Sequence, residues 1–222
     1  MGARMTRGLV YFVVLLAAGC AAWQPSKAQA AEEDTQFWLV VTAGGEIAES
    51  TRLTLDASQR WREAARGGDQ QTLRFTLERT VAQDVRIGAG AMVLEANGTT
   101  ELRPHQQVTF ALGPFEARTR LEQRFFDGAD RVEVRLRQRL QYVQPLGDGW
   151  RANIGAEWLG LLQGRNAGEG ASTEQWRAQA GVAYRIGERL DLGANYWLLV
   201  FPQGDRPARL SHVPQATLTW RF

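Results

Sequence analysis

Arginines that alternate with apolar residues are the side chains in this sequence with the clearest capacity for chemistry. Between residues 131 and 142, one parity is mostly apolar and the other carries Arg135, Arg137 and Arg139. Arginine stays charged in proteins and presents a planar fork of donors that fits carboxylates and phosphates. A row of arginines on one face can therefore recognise anionic solutes, or it can form ion pairs with acids on that face.

The same alternation in other segments extends the arginine face, which we predict to line the interior of the fold. The set is Arg118, Arg120, Arg124, Arg135, Arg137, Arg139, Arg151 and Arg177. Acids accompany it at Glu78, Glu116, Glu122, Glu133 and Glu157.

Two interpretations of this interior differ in function. One is a salt-bridged lumen that fills a narrow barrel. The other is an arginine-lined path that favours anions such as acidic sugars or carboxylates, because rings of charge set the selectivity of pores. The run from Arg135 to Arg139 is its best candidate, since Glu133 is the only acid on that face of the segment.

The elements that must position these residues are β-strands, because a period of two fits a strand and does not fit a helix. Eleven segments show it: 37–43, 53–61, 73–81, 85–95, 107–112, 115–125, 131–142, 150–160, 176–184, 190–200 and 213–222. Many approach the length of a tilted membrane strand. No uninterrupted apolar run after the first thirty residues is long enough for a spanning helix, so we predict that the chain crosses a membrane as strands.

The predicted fold class is all-β, a transmembrane antiparallel up-and-down β-barrel of ten to twelve strands. Eleven strands conflict with the even number usual in bacterial single-chain barrels. Either segment 37–43 lies outside the wall, or a short twelfth strand lies in a loop, and we favour twelve. Short turns at 44–45, 83–84, 113–114, 147–149 and 187–188 alternate with longer loops at 63–70, 97–103, 126–130, 164–173 and 202–209.

Aromatic residues near strand ends predict a girdle, because tryptophan and tyrosine favour the headgroup region of a membrane. Its predicted members are Trp61, Tyr142, Trp150, Trp158, Trp176, Tyr184, Tyr196, Trp197 and Trp220. The alternative is a set of ordinary core aromatic residues in a soluble sheet.

The first thirty residues predict a secretory signal peptide. Arg4 and Arg7 precede an apolar run at 9–18, and a small-residue site ends at Ala30. Cleavage there leaves a barrel domain at 31–222 in the Gram-negative outer membrane, among its lipids. A competing site would place a lipid on Cys20. The last strand ends in Phe222 and resembles the signal that the outer-membrane assembly machinery recognises.

Charge and composition exclude several functions. Three of the 26 basic residues lie in the signal, so the mature chain has 23, all arginine, against 24 acids and is no nucleic-acid binder. With one cysteine and two histidines we expect no metal and no cofactor. Ser211 beside His212 is a weak candidate for a catalytic pair, and we expect no enzyme.

Three stretches carry a family resemblance: residues 36–38, residues 103–107, and residues 120–125 followed by the arginine-rich strand at 135–139. With them, the chain resembles an uncharacterised family of outer-membrane barrels, domain-of-unknown-function family 2490, over most of 35–222. The resemblance implies location and architecture, and it brings no catalytic residues.

Three functional hypotheses follow. The first is an outer-membrane channel that favours small anionic solutes. The second is a closed structural or adhesive barrel. The third is a soluble periplasmic ligand-binding barrel in which the two faces are exchanged, so that the apolar parity points inward.

Overall fold

A computed structural model describes residues 32–222, which form one sheet of twelve strands with one short 3-10 helix. The predicted signal peptide, its cleavage site and Cys20 lie outside this range. The strands are β1 (Glu33–Thr35), β2 (Phe37–Ala48), β3 (Thr51–Trp61), β4 (Gln70–Ala82), β5 (Val85–Ala96), β6 (Thr99–Leu112), β7 (Phe115–Phe126), β8 (Glu133–Gly147), β9 (Trp150–Gln163), β10 (Ser172–Ile186), β11 (Leu190–Gln203) and β12 (Arg206–Arg221). The 3-10 helix, Ala64–Arg66, lies between β3 and β4.

The sheet closes on itself through β12. From β2 to β12 each strand pairs antiparallel with the next, and β12 then pairs with β2 in parallel, from Gln215 opposite Trp38 to Arg221 opposite Gly44. Eleven strands therefore form the wall. The short β1 also runs parallel to β12, with Glu33 opposite Leu210. The difference in residue number between partners is the same as for Trp38 and Gln215 in the β2 pairing. Strand β1 is thus the twelfth strand, and in register it continues β2.

The predicted fold class is confirmed, and all eleven predicted segments form wall strands. Segment 37–43 belongs to the wall as part of β2, and the twelfth strand precedes β2 instead of lying in a loop. The closing pair is parallel where an up-and-down barrel has an antiparallel one, because the first and last of an odd number of alternating strands run in the same direction. Local periodicity contains no information about which edges meet.

Several predicted turns and loops lie inside strands. Gly44 and Gly45 lie inside β2, and the turn falls at Glu49 and Ser50. Segments 97–103 and 202–209, predicted as long loops, are largely strand around two-residue turns at 97–98 and 204–205. The polar residues that suggested loops belong to strands whose inner face is polar. Asn97 and Gly98 both have positive φ, as a tight hairpin turn requires.

The outer face of the wall is apolar. Large side chains such as Leu73, Phe75 and Ile154 are at least half exposed on it. Four charged residues in strands point outward, each within three residues of a strand end: Glu33, Arg79, Glu95 and Arg206. This orientation contradicts the soluble alternative, which needs the apolar parity inside. No helix within residues 32–222 is long and apolar enough to span a bilayer.

Two inward-facing glycines let β5 approach β4 and β6 closely. At Gly90 a Cβ atom would overlap the carbonyl oxygen of Phe75 and lie 2.9 Å from Cε1 of His105. The imidazole of His105 fills this space, is 1% exposed and is hydrogen-bonded to the Thr76 hydroxyl at 3.2 Å. Gly88 has a similar contact with Glu78. The missing side chains are therefore part of how the inner wall packs.

We expect Gly90→Val to destabilise the barrel by at least about 3 kcal/mol, because a side chain there must displace a neighbouring backbone and His105. The measurement is the urea midpoint for loss of the folded band on unboiled gels. Ala89→Val is the control, since Ala89 is the adjacent residue and faces outward. Equal midpoints for the two variants would contradict this close packing at Gly90.

Candidate functional site in the barrel lumen

The lumen wall has an excess of positive charge. All eight arginines predicted to face the interior do so. The inward strand positions hold sixteen arginines: 52, 60, 74, 86, 103, 118, 120, 124, 135, 137, 139, 151, 177, 185, 209 and 221. They hold eleven acids: 34, 46, 56, 78, 101, 116, 122, 133, 157, 174 and 191. The difference is five positive charges.

A carboxylate at the middle of the wall joins three strands. Glu157 on β9 is 2.8 Å from Arg137, 3.0 Å from Arg118 and 3.5 Å from Arg177. Glu122 on β7 accepts hydrogen bonds from Arg137 at 2.8 Å and from Arg135 at 2.5 Å. Glu122 and Glu157 are each about 3% exposed. Buried acids with several donors satisfy the requirement that buried charges be paired.

A second cluster lies nearer the end with the longer loops. Arg124 donates to Glu101 at 2.6 Å, contacts Glu133 and reaches Glu174 on β10 at 3.2 Å. Glu101 also pairs with Arg103 on its own strand. These residues come from β6, β7, β8 and β10, so the cluster joins strands that are distant in sequence.

Only one of the three arginines in the predicted run on β8 lacks an ion pair within the described part of the chain. Arg135 and Arg137 form ion pairs with acids on the neighbouring strands β7 and β9. The sequence of β8 alone could not reveal these acids. Arg139 has no carboxylate within 4.0 Å in the part of the chain that the structure describes, and its Nε is buried without a partner. Its hydrogen bond goes to Gln141. Of the three, Arg139 is the one whose charge is not locally balanced.

The ion pairs follow the wall and do not cross the lumen. Among residues 32–222, no salt bridge between strands joins members more than three places apart, and most lie on β6 to β10. The opposite side carries a mainly apolar cluster inside the barrel: Trp38, Trp197, Leu199, Phe201 and Val213. Strands β6 to β10 thus carry most of the inward charge, and an apolar and aromatic cluster lies on β2, β11 and β12.

Eight of the nine predicted girdle residues face outward, and seven of them lie in two rows. Near the short turns lie Tyr142, Trp150, Tyr184 and Trp220, and toward the longer loops lie Trp61, Trp158 and Trp176. Tyr196 lies at the middle of β11. Trp197 is the exception. It points inward and packs against Trp38, with ring centroids 6.4 Å apart. The prediction was wrong there because neighbours in a strand face opposite sides, so Tyr196 and Trp197 cannot both face outward.

A cavity of about 220 Å³ opens at the loop end of the lumen. Arg60 and Arg62 line it and have no carboxylate within 4.0 Å among the described residues, and the Nε of each is buried without a partner. Burial lowers the pKa of the Arg62 guanidinium below its ordinary value, and the nearby charge of Arg209 lowers it further. Sequence reasoning missed this cavity, although Arg60 and Arg62 were visible at the end of the predicted strand 53–61.

The weak catalytic pair does not form. Ser211 is inward and fully buried, with hydrogen bonds from Gln36 and Arg209. His212 is outward and contacts the Tyr196 hydroxyl. Adjacent strand residues on opposite faces cannot act as nucleophile and base for one another. Residues 32–222 contain no group of three or more histidine, cysteine, aspartate or glutamate side chains that could hold a metal ion.

Comparison with known families identifies the chain. A family model described as "Protein of unknown function (DUF2490)" matches residues 35–206. The chain belongs to this family. The DUF2490 barrel is also similar to a solved structure described as "KdgM porin", with 12% sequence identity and a TM-score of 0.47 over 71% of this chain and 81% of that chain. No curated protein matches it.

We expect Glu157→Gln to destabilise the DUF2490 barrel by about 3 kcal/mol, because three arginines lose their shared buried counter-charge. The urea midpoint of unfolding, followed by tryptophan fluorescence, measures the effect. Glu95→Gln is the matched control, since Glu95 faces outward near a strand end. A midpoint unchanged by Glu157→Gln would show that the lumen solvates these arginines without the carboxylate.

Proposed function

We propose that this protein is an outer-membrane channel that favours small anionic solutes. The observation that carries the proposal is the pairing of an apolar outer wall with an inner wall that holds five more arginines than acids. An apolar exterior suits lipid, and fixed positive charge in a confined aqueous path raises the local concentration of anions.

The separation of the aromatic rows supports placement in a membrane. Trp176 and Tyr184 face outward on β10 and are eight residues apart. At about 3.3 Å per residue and a tilt of 35–45°, this corresponds to roughly 20 Å along the barrel axis. The apolar band of outer-membrane barrels is about 25 Å tall. Assembly through the aromatic C-terminal strand that ends in Phe222 is part of the same proposal.

The arrangement of the ion pairs along the wall supports an aqueous path. Side chains fill a barrel of about eight strands, whereas sixteen to eighteen strands leave a channel. Eleven strands lie between these limits, so the placement of side chains decides whether a path exists. Here most of the ion pairs between strands run along β6 to β10, and none of those between described residues joins opposite walls.

The first test is location. We expect fractionated cells to contain the protein in the outer membrane, and the folded protein to change its electrophoretic mobility on boiling. A closed barrel resists detergent until heated, whereas a peripheral protein does not. Recovery in the soluble periplasmic fraction would remove the basis of the proposal.

The second test is conductance in planar bilayers under a salt gradient. We expect small channels whose reversal potential indicates anion preference. Replacing Arg135, Arg137 and Arg139 together by Gln removes three of the five excess positive charges, so the preference should fall markedly.

The control for that test removes the same number of arginines outside the lumen. Arg79→Gln, Arg189→Gln and Arg206→Gln combined should leave selectivity unchanged, because Arg79 and Arg206 face outward and Arg189 lies in a turn. Equal loss of selectivity in both triple variants would contradict an effect of the lumen arginines.

A closed structural or adhesive barrel is the second candidate, and the dense ion-pair network on β6 to β10 favours it. It predicts a heat-modifiable outer-membrane protein that is electrically silent. The same bilayer experiment therefore separates the two functions.

A further inference from the structure

We infer that the loop-end cavity is a binding site for a small organic carboxylate, held by Arg60, Arg62 and Arg177. This inference deepens the proposed function, and it rests on that function in assuming that solutes enter the lumen from the loop end. The proposed function is a general preference for anions, whereas this inference assigns one class of ligand to one cavity.

Unbalanced charge is the first argument. Neither Arg60 nor Arg62 has a carboxylate within 4.0 Å in residues 32–222, and Arg177 is 3.5 Å from Glu157, which two other arginines share. The one acid that lines the cavity, Glu174, is already paired with two arginines at 3.2 Å. The cavity wall is therefore positive.

Unsatisfied donors are the second argument. The Nε atoms of Arg60 and Arg62 are buried without a hydrogen-bond partner. Buried donors in folded proteins nearly always have a partner, and leaving one unpaired costs about 1–3 kcal/mol. An oxyanion in the cavity would supply acceptors where the protein supplies none.

Preorganisation is the third argument. The guanidinium of Arg60 lies over the Trp38 ring, 4.4 Å from its centroid, and the Trp38 indole donates a hydrogen bond to Gln36 at 3.1 Å. Arg209 lies over Phe201 in the same way at 3.7 Å. Stacking holds each planar fork in place, so less side-chain entropy is lost when a ligand binds.

Size and lining define the ligand class. A volume of about 220 Å³ corresponds to roughly seven water molecules at ~30 Å³ each, which suits an acid of about four carbons. Leu94, Leu199 and Phe201 form an apolar part of the lining, against which a short hydrocarbon can pack. The arginine fork fits a carboxylate. A bare inorganic anion would use the arginines and leave the apolar lining unfilled.

The experiment is calorimetric titration of the folded protein in detergent with succinate, its neutral analogue succinamide, and inorganic phosphate, all at one ionic strength. We expect saturable binding of succinate, no binding of succinamide, and weaker binding of phosphate. Arg60→Gln and Arg62→Gln should each weaken succinate binding about tenfold or more, the effect of losing one charge-assisted hydrogen bond. Arg79→Gln, which removes an outward arginine, should not change it.

A separate control tests whether each variant folds. Arg62 lies outside the strands, so its variant should keep the mobility shift on boiling even if Arg60→Gln does not. Equal binding of succinate and succinamide, or unchanged succinate binding in the folded Arg62→Gln protein, would overturn the site. Phosphate binding as tight as succinate binding would overturn the ligand class.

The two proposals fail in different ways. A barrel that is silent in bilayers and still binds succinate through Arg60 and Arg62 supports the site and rejects the channel. A conducting, anion-selective barrel that does not bind succinate rejects the site and leaves the channel standing.

Discussion

The constraint on which this structure depends is that each of the eleven wall strands, β2 to β12, must have two neighbours. An apolar outer face suits hydrocarbon, where an unpaired backbone N–H or C=O costs several kcal/mol. The parallel pairing of β12 with β2 removes the last open edge of this wall. Closure then creates an enclosed interior, and the alternation of side chains directs nearly all strand charges into it.

Enclosure changes what those charges do. An arginine on an open sheet would be solvated, whereas arginines crowded on a closed inner wall need acids or ligands near them. Glu122 and Glu157 meet this need in the middle of the wall by contacting arginines from three strands. At the loop end, Arg60 and Arg62 lack such partners, so the distribution of acids leaves one part of the lumen balanced and another part positive.

The asymmetry of the lumen follows from the same closure. Strands β6 to β10 supply most of the charge, and β2, β11 and β12 supply Trp38, Leu199 and Val213 on the inside. In the proposed function this gives a solute a charged side and an apolar side at once. Organic anions have both kinds of surface and can contact the arginines and the aromatic cluster together.

The sequence by itself determined the strands, their two faces and the eight inward arginines. Alternation of side chains is a property of a single strand, so it can be recognised without knowing which strands are neighbours. It also predicted the outward orientation of eight of the nine aromatic residues assigned to a girdle, and it was wrong at Trp197, because the neighbouring Tyr196 faces outward. Turns at 97–98 and 204–205 were missed, since polar inner-wall residues such as Glu101 and Arg103 have the composition of loops. Only the tertiary structure decided the eleven-strand closure, the neutralisation of Arg135 and Arg137 by acids from other strands, and the cavity at Arg60. Each depends on which strands lie side by side around a closed circle, and that pairing is a long-range property that no local pattern encodes.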